Sequence, residues 1–410
     1  MTSPAEQTSQ IVVQKYGGMC LETPPKLRAV ASQLASLHAA GKRVVVIVSA
    51  MGKATDGLIK LAYEVSPHPN RRELDMLLTT GERVSMALMS MALSDLGVPA
   101  ISFTGSQAGV LTDDSHSQAR ILDVRPIRVR EELERGRVVV LAGFQGVNPN
   151  TKEITTLGRG GSDTTAVAMA GALRAARCEI IKEVDGVCTA DPRLVPNSKP
   201  LRQLDFASLA EMCFWGAKVL HFRSVELAQS LNVPLVLKKW GATGESTQVL
   251  RTIGAAEGDK LMENGRVLAV NSHGRIEHLE IDCASLDQGF ARLAAHLKQS
   301  SLPWPQILAS AFDGGTCRLM LTSDEESLNA LVHTASITPD IRRLRTPLSS
   351  VSLTCFGSVG SDLPHRALQT LGGHGITAFK YILSPHTVTL FVPPDQREEA
   401  VRVLHRLVGS

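Results

Sequence analysis

The sequence predicts an α/β fold, in which one mostly parallel sheet with helices on both faces is followed by two small β-α modules. Three observations carry this. Up to about residue 250, short apolar strands alternate with helical stretches, the pattern of parallel strands joined by crossover helices. The run Lys42–Ala50, K-R-V-V-V-I-V-S-A, is apolar without alternation, as a strand covered on both faces should be. After residue 250 the order becomes two passes of strand, helix, strand, strand, helix, the outline of ferredoxin-like modules. A chain of 410 residues is expected to divide in this way, because single cores rarely grow beyond about 250–300 residues.

Taken in order, a β-branched strand over Gln10–Gln14 runs into Lys15-Tyr16-Gly17-Gly18, which sets an amine beside bare backbone amides. Leu27, Val30, Leu34 and Leu37 recur at helical spacing and predict a helix over Leu27–Ala40. The strand Lys42–Ala50 ends in small and polar residues through Leu58, at the carboxyl edge where open α/β sheets bind ligands. Glu73–Leu96 reads as a long helix containing Glu82. Strand Ala100–Phe103, helix Ile127–Arg135 and strand Val138–Phe144 follow. The stretch T-L-G-R-G-G-S-D-T-T-A then places Gly158, Gly160 and Gly161 around Arg159 and opens an alanine-rich helix capped by Ser162 or Asp163. A glycine-rich turn feeding a helix N-terminus presents free amides and the positive end of the helix dipole, a site for an anion. Arg159 adds a planar fork suited to carboxylate or phosphate. Strand Glu179–Val184, helices Phe206–Trp215 and Ser224–Leu231, and strand Pro234–Lys238 close this part. Beyond it, Val267–Asn271 and Ile276–Ile281 read as separate strands, with helices over Gln288–Gln299 and Glu325–Thr334. The second pass gives Ser350–Phe356, Thr377–Leu383 and Thr387–Val392, with helices His365–Leu371 and Gln396–Leu407.

Composition excludes several classes. A formal net charge of +3 without a basic run argues against nucleic acid or a membrane surface, and 4% aromatic residues argue against base stacking. The N-terminus lacks the apolar core of a signal peptide, and no apolar run reaches membrane-spanning length. Seven scattered cysteines without a C-x-x-C motif read as reduced thiols, which predicts a cytoplasmic protein.

Nine motifs, in order and spacing, resemble the aspartate kinases. They are K-Y-G-G (15–18), S-A-M-G-K-A-T-D-G-L (49–58), T-T-G-E (79–82), G-S-Q-A-G-V-L-T-D-D (105–114), F-Q-G (144–146), T-L-G-R-G-G-S-D-T-T-A (156–166), V-D-G-V-C-T-A-D-P-R (184–193), G-A-K-V-L-H (216–221) and R-S-V-E (223–226). The resemblance implies a three-layer amino-acid-kinase domain over residues 1–250. Two ACT-like domains would follow, a degenerate one over 262–342 and a second over 343–410. The implied reaction moves the ATP γ-phosphoryl group to the β-carboxylate of L-aspartate, the first step toward lysine, threonine and methionine.

By the same resemblance Lys15, Asp163 and Lys218 are catalytic, with Asp163 orienting Lys15. Thr55, Glu82, Arg159, Gly160, Gly161 and Ser162 bind the acceptor. There Glu82 meets its α-ammonium and Arg159 its α-carboxylate. Lys15, Tyr16, Gly17, Gly18, Lys182, Glu183, Val187, Cys188, Asp191, Arg193, Lys218 and Val219 bind ATP, and Mg²⁺ is held mainly by the phosphates rather than by protein ligands. Ile181-Lys182-Glu183 stands where the family more often has Tyr-Thr-Asp. The ACT half lacks the usual effector turn in its first module and has Tyr381–His386 in the second, so feedback by lysine or threonine is expected to be weak or altered. A homodimer or larger homo-oligomer is expected. Two other readings stay open: the same transfer onto an aspartate analogue, and a catalytically silent amino-acid-binding subunit.

Overall fold

A computed structural model describes residues 11–67, 69–241, 246–251, 265–300, 302–336, 338–343 and 347–409. Gln10 and residues 242–245 and 262–264, which begin or bound some of the elements expected from sequence, lie outside the described residues.

The contacts divide the chain into two units. The first contains β1 (Ile11–Tyr16), α1 (Pro24–Ala39), β2 (Arg43–Val48), α2 (Ala54–Val65), α3 (Arg71–Asp95), β3 (Ala100–Phe103), β4 (Val110–Thr112), β5 (Ile121–Val124) and α4 (Ile127–Glu134). It continues with β6 (Val138–Ala142), β7 (Gln145–Val147), β8 (Ile154–Thr156), α5 (Gly161–Leu173), β9 (Cys178–Lys182), β10 (Gln203–Asp205), α6 (Phe206–Phe214), α7 (Phe222–Ser230), β11 (Leu235–Lys239) and β12 (Ser246–Leu250). Eight strands form one sheet in the order β10-β12-β11-β9-β1-β2-β6-β3, parallel throughout except for β11 against β12.

Strand β1 lies near the middle of this sheet, buried along its whole length. On one face α1 and α3 pack Leu27, Val30, Leu34, Met89 and Leu93 against Tyr16, Val44, Val46 and Val138. On the other face α5 contacts β1, β2 and β9. Its residues Gly161–Ala170 are all buried, which its alanines and glycines permit because little side chain separates helix from sheet. Gly171 is bare for the same reason: a Cβ there would come within 2.7 Å of Leu231 at the end of α7.

Two expectations are corrected in this unit. Residues 54–65, in which the sequence pattern predicts no helix, form α2. A second sheet of very short strands, β5-β4-β7-β8, was not foreseen. It carries the chain to Thr156 at the threshold of the glycine loop, and a buried hydroxyl pair, Thr112 with Thr155 at 2.6 Å, ties its strands.

The second unit holds residues 259–410 together with the segments 189–199 and 214–217. Its elements are β13 (Arg266–Asp282), α8 (Leu286–Gln299), β14 (Gln306–Asp313), β15 (Thr316–Thr322), α9 (Glu325–Ser336), β16 (Ile341–Arg343), β17 (Leu348–Phe356), α10 (Leu363–Gly372), β18 (Lys380–Leu383), β19 (Thr387–Val392) and α11 (Arg397–Leu404). They build one sheet, β14-β15-β13-β17-β19-β18, with β16 also on β13. The two strands expected around Gly274 are one continuous strand that bulges between His273 and Ile276. An extra residue bends and twists a strand without ending it.

The first half of β13 pairs with β17 and its second half with β15 and β16. A linear cut at 342/343 therefore does not follow the strand pairing. Residues from Arg266 to Ile276 join β17–β19, and the segment from Glu277 to Arg343 is inserted between them. Two apolar clusters follow this division. One joins Val267 and Val270 with Val351, Leu353, Val388 and Leu390, and the other joins Leu279 and Ile281 with Leu293, Leu319 and Leu331.

Candidate active site

Alternation along β1 turns Gln14 and Tyr16 toward one face of the sheet and Lys15 toward the other, beneath α5. The Lys15 ammonium lies 2.7 Å from Asp163 Oδ1, with both side chains almost fully buried. Lys15 pairs in register with Ile180, so Lys182, two residues further along β9, stands on the same face. Its ammonium donates to Asp163 Oδ2 at 3.1 Å and to the Val219 carbonyl. Burial alone would push the Asp163 carboxyl up, but Lys15 and then Lys182 outweigh it and hold the group at about 2. Burial pulls the Lys15 pKa down, opposed by Asp163 and reinforced by Lys182. The cluster is thus one carboxylate shared by two ammonium groups, at the carboxyl end of the central strands.

Glu82 enters from α3. Its Oε1 accepts the Ala50 amide at 3.1 Å, and its Oε2 is buried with no hydrogen-bond partner among the described residues. Burial raises its pKa to about 7, against the pull of the Ala50 amide and of Lys15. Thr55 stands half-buried in the first turn of α2.

Arg159 is exposed at the head of α5. The cap of that helix is Gly160 in the left-handed region at φ 70°, with no side-chain cap bond, rather than Ser162 or Asp163. Gly161, Ser162 and Asp163 form its first turn, whose amides have no intrahelical partner. Gly160 is required twice over: its φ disfavours a side chain, and a Cβ would fall 2.3 Å from that of His221. His221 caps α7 by accepting the Arg223 amide. Burial and then Arg223 lower its pKa to about 4, so it is neutral at pH 7.

Two groups without an assigned role hold this loop. Arg223 donates to the carbonyls of Leu157 at 3.1 Å and Ala119 at 3.0 Å. Asp75, fully buried on α3, accepts the Ser117 amide and the Thr156 hydroxyl and bonds His116 at 2.7 Å. Sequence held a signal for Asp75. Positions 75, 78, 82, 85 and 89 form the buried stripe of α3, so helical spacing alone puts both Asp75 and Glu82 on its covered face.

The expected nucleotide residues divide. Gly18 opens a short 3-10 turn over Gly18–Leu21 and presses so close to the next strand end that a Cβ would meet the Ala50 carbonyl at 2.5 Å. The Gly17 amide, expected to face phosphate, donates instead to the Ile181 carbonyl. The Tyr16 side chain is a core group whose hydroxyl donates to Gln14, and its carbonyl accepts the Ser49 amide. Glu183 pairs with Lys26 of α1 at 3.0 Å. Val187 is buried, and its amide donates to Thr247. Cys188 is half-buried and bridges to Pro200. Lys218 is exposed, beside half-buried Val219. Val219 lines a shallow depression with Ile180, Lys182, Val184, Gly186 and Leu237. Asp191 and Arg193 fall in the second unit and fork onto each other at 2.6 Å and 3.0 Å.

A sheet end that gathers two lysines on one aspartate beside a glycine turn is a setting for phosphoryl chemistry. The family model for the amino acid kinase family matches residues 10–239. The chain belongs to the amino acid kinase family. Within it, the chain is 57% identical over 225 residues to the aspartokinase of Corynebacterium glutamicum, a match covering 55% of this chain and 53% of that one. Against the aspartokinase of Mycobacterium tuberculosis it is 52% identical over 243 residues, covering 59% and 58%. The chain spans about half the length of the curated relatives it matches. An aspartate kinase from Synechocystis is 32% identical over 98% of this chain and 70% of its own, with a TM-score of 0.54. The fold is also that of E. coli aspartokinase III in complex with aspartate and ADP, with a TM-score of 0.77 at 21% identity, covering 98% of this chain and all of that one. This amino acid kinase thus carries further β-α modules after its kinase domain, as the sequence predicted.

Proposed function

We propose that the protein is an aspartate kinase, which transfers the γ-phosphoryl group of ATP to the β-carboxylate of L-aspartate to give 4-phospho-L-aspartate. A carboxylate oxygen forms the new bond to phosphorus as the bond to the β–γ bridging oxygen breaks, and ADP leaves with that electron pair. The observation that carries the reading is the buried, unpartnered Glu82 oxygen in the field of the Lys15–Asp163–Lys182 cluster. An α-amino acid offers an ammonium to the first and an acidic phosphate acceptor to the second. High identity to aspartokinases over the kinase region supports it.

The acceptor is already a nucleophile when ionised, so the protein's task is to bring two anions together and to stabilise the charge that spreads over the transferring group. Lys15 faces that charge and Asp163 fixes it there. Gly18 and the first amides of α5 add dipoles, Arg159 and Ser162 hold the acceptor, and Thr55 adds a hydroxyl. Mg²⁺ bound with ATP supplies charge neutralisation at the phosphates. None of the seven cysteines is in a disulfide.

The test is initial-rate assay with ATP, Mg²⁺ and L-aspartate, trapping the acyl phosphate with hydroxylamine. Hydroxamate from the native protein and its loss in Arg159→Ala is the expected result. Product only from another amino acid would move the proposal to an aspartate analogue, and no product from any acceptor would favour a silent subunit.

For the second unit we propose amino-acid-sensing modules that also pair copies of the chain. Strand β18 is an edge of its sheet, and Phe379, Tyr381 and Leu383, all on one side, are about half exposed or more. Exposed apolar edges are normally covered, and a homodimer by light scattering is expected. E. coli aspartokinase III has been solved with lysine and aspartate. In this chain Pro385 replaces a backbone donor, and its carbonyl is taken by the Val359 amide. Feedback is therefore expected to be weak. A lysine or threonine titration giving strong inhibition below about millimolar concentration would reject this.

A further inference from the structure

We infer that Lys182 is a second phosphate-facing cation of the transfer site, held in place by Asp163, rather than a wall of the nucleotide pocket. The inference rests on the kinase reading above and concerns the charge that carries the transferring group.

Charge counting makes the first argument. Asp163, ionised at about 2, is already neutralised by Lys15 at 2.7 Å. A second ammonium at 3.1 Å on its other oxygen, itself a quarter exposed, gives these three groups a net charge of +1 beside the buried Lys15–Asp163 pair. Glu82, titrating at about 7 in the field of Lys15, offsets this only in part. Surplus buried charge is costly unless something pairs with it. Lys182 also lowers the Lys15 pKa by repulsion, so the empty site is poorer for both lysines than for one. An anion placed between them relieves both penalties.

Donor geometry makes the second. An ammonium has three N–H donors. Those of Lys182 that are accounted for go to Asp163 and to the Val219 carbonyl, and with 24% of the side chain exposed a third remains for a ligand. The two bonds fix the ammonium so that it needs no reorganisation when charge develops, the condition under which electrostatic stabilisation is most effective. Lys218, the second cation expected from sequence, is exposed, and no ion pair holds it among the described residues. Lys182, on a central strand and tied at two points, is the better-placed charge.

The experiment uses the full chain as Lys182→Met and Lys182→Arg. Each is assayed by hydroxamate formation and titrated calorimetrically with ADP and, separately, with adenosine, which lacks phosphate. The expected result for Lys182→Met is a loss of about 100-fold in kcat with the aspartate KM little changed. ADP binding should weaken at least about tenfold while adenosine binding stays as in the native protein, and Lys182→Arg should recover part of both. Unchanged kcat and ADP binding in Lys182→Met would overturn the inference. Equal weakening of ADP and adenosine with a lowered melting temperature would also overturn it, because that is a structural loss. If the native protein forms no hydroxamate, the kinase reading fails, and the contrast between ADP and adenosine still judges Lys182.

Discussion

Glu82 sits 4% exposed with one oxygen on the Ala50 amide and the other unpartnered. Its pKa of about 7, raised by burial from 4.5, makes the ionised empty site less stable by about 3 kcal/mol. The folded-state value lies above the unfolded one, so folding favours the protonated form. That contribution is complete below about pH 4.5 and is lost as the pH rises to about 7. A substrate ammonium pairs with the ionised form, so binding below pH 7 expels a proton. The aspartate KM should then fall up to about tenfold per pH unit between roughly pH 5 and 7, and level off above. Glu82→Gln should abolish this slope and raise the aspartate KM about 10- to 100-fold, with the ATP KM little changed. Initial rates across pH for both proteins check this, and a slope surviving in Glu82→Gln would reject it. Glu82 was legible only through the T-T-G-E motif that resembles the aspartate kinases, because by itself a carboxylate on a long helix reads as a surface group. Lys182 was legible only as a neighbour of the nucleotide. Its bond to Asp163 spans a strand and a helix separated in sequence, and no local pattern encodes that distance.

At the head of α5 a glycine is required by close approach as well as by its backbone angle. Gly160 and Gly41 both have φ near 75°, at 70° and 76°, but a Cβ at Gly160 meets His221 at 2.3 Å whereas one at Gly41 meets nothing within 4 Å. Gly41→Ala should cost only the left-handed penalty of about 1 kcal/mol and leave activity intact. Gly160→Ala adds displacement of His221, the cap of α7, and of the loop bearing Arg159. It should lower the melting temperature further and reduce kcat/KM for aspartate by at least about tenfold. Equal behaviour of the two variants, in thermal melts and rates, would show that the close approach has no role. The long parallel strands and α5 were readable because continuous apolar runs and small-residue helices have few alternatives. The sheet β5-β4-β7-β8 was not. Strands of three or four residues are too short to display a period, and only their packing defines them.

Across the whole molecule, the C-terminal unit is woven rather than strung. Its central strand β13 serves two clusters, and Trp215 reaches it from position 215 in the chain. Trp215 is 4% exposed, packs with Ile276, Leu348 and Phe391, and meets Phe391 edge-on at 6.5 Å between ring centroids. Sequence order hid this arrangement, because a periodic pattern locates strands but does not say which halves of one strand pair with which partners. The consequence is measurable. Residues 343–410 contain β17 but lack β13, so β17 would expose an edge, and Val351 and Leu353 would lose Val267 and Val270. That fragment should be unfolded by far-UV circular dichroism and amide hydrogen exchange. In the full chain, Trp215→Ala should destabilise the unit by about 3–5 kcal/mol, moving its urea midpoint. A cooperatively folded 343–410 fragment would mean that the last module is independent of β13, which the pairing of Arg266–Ile276 with β17 argues against.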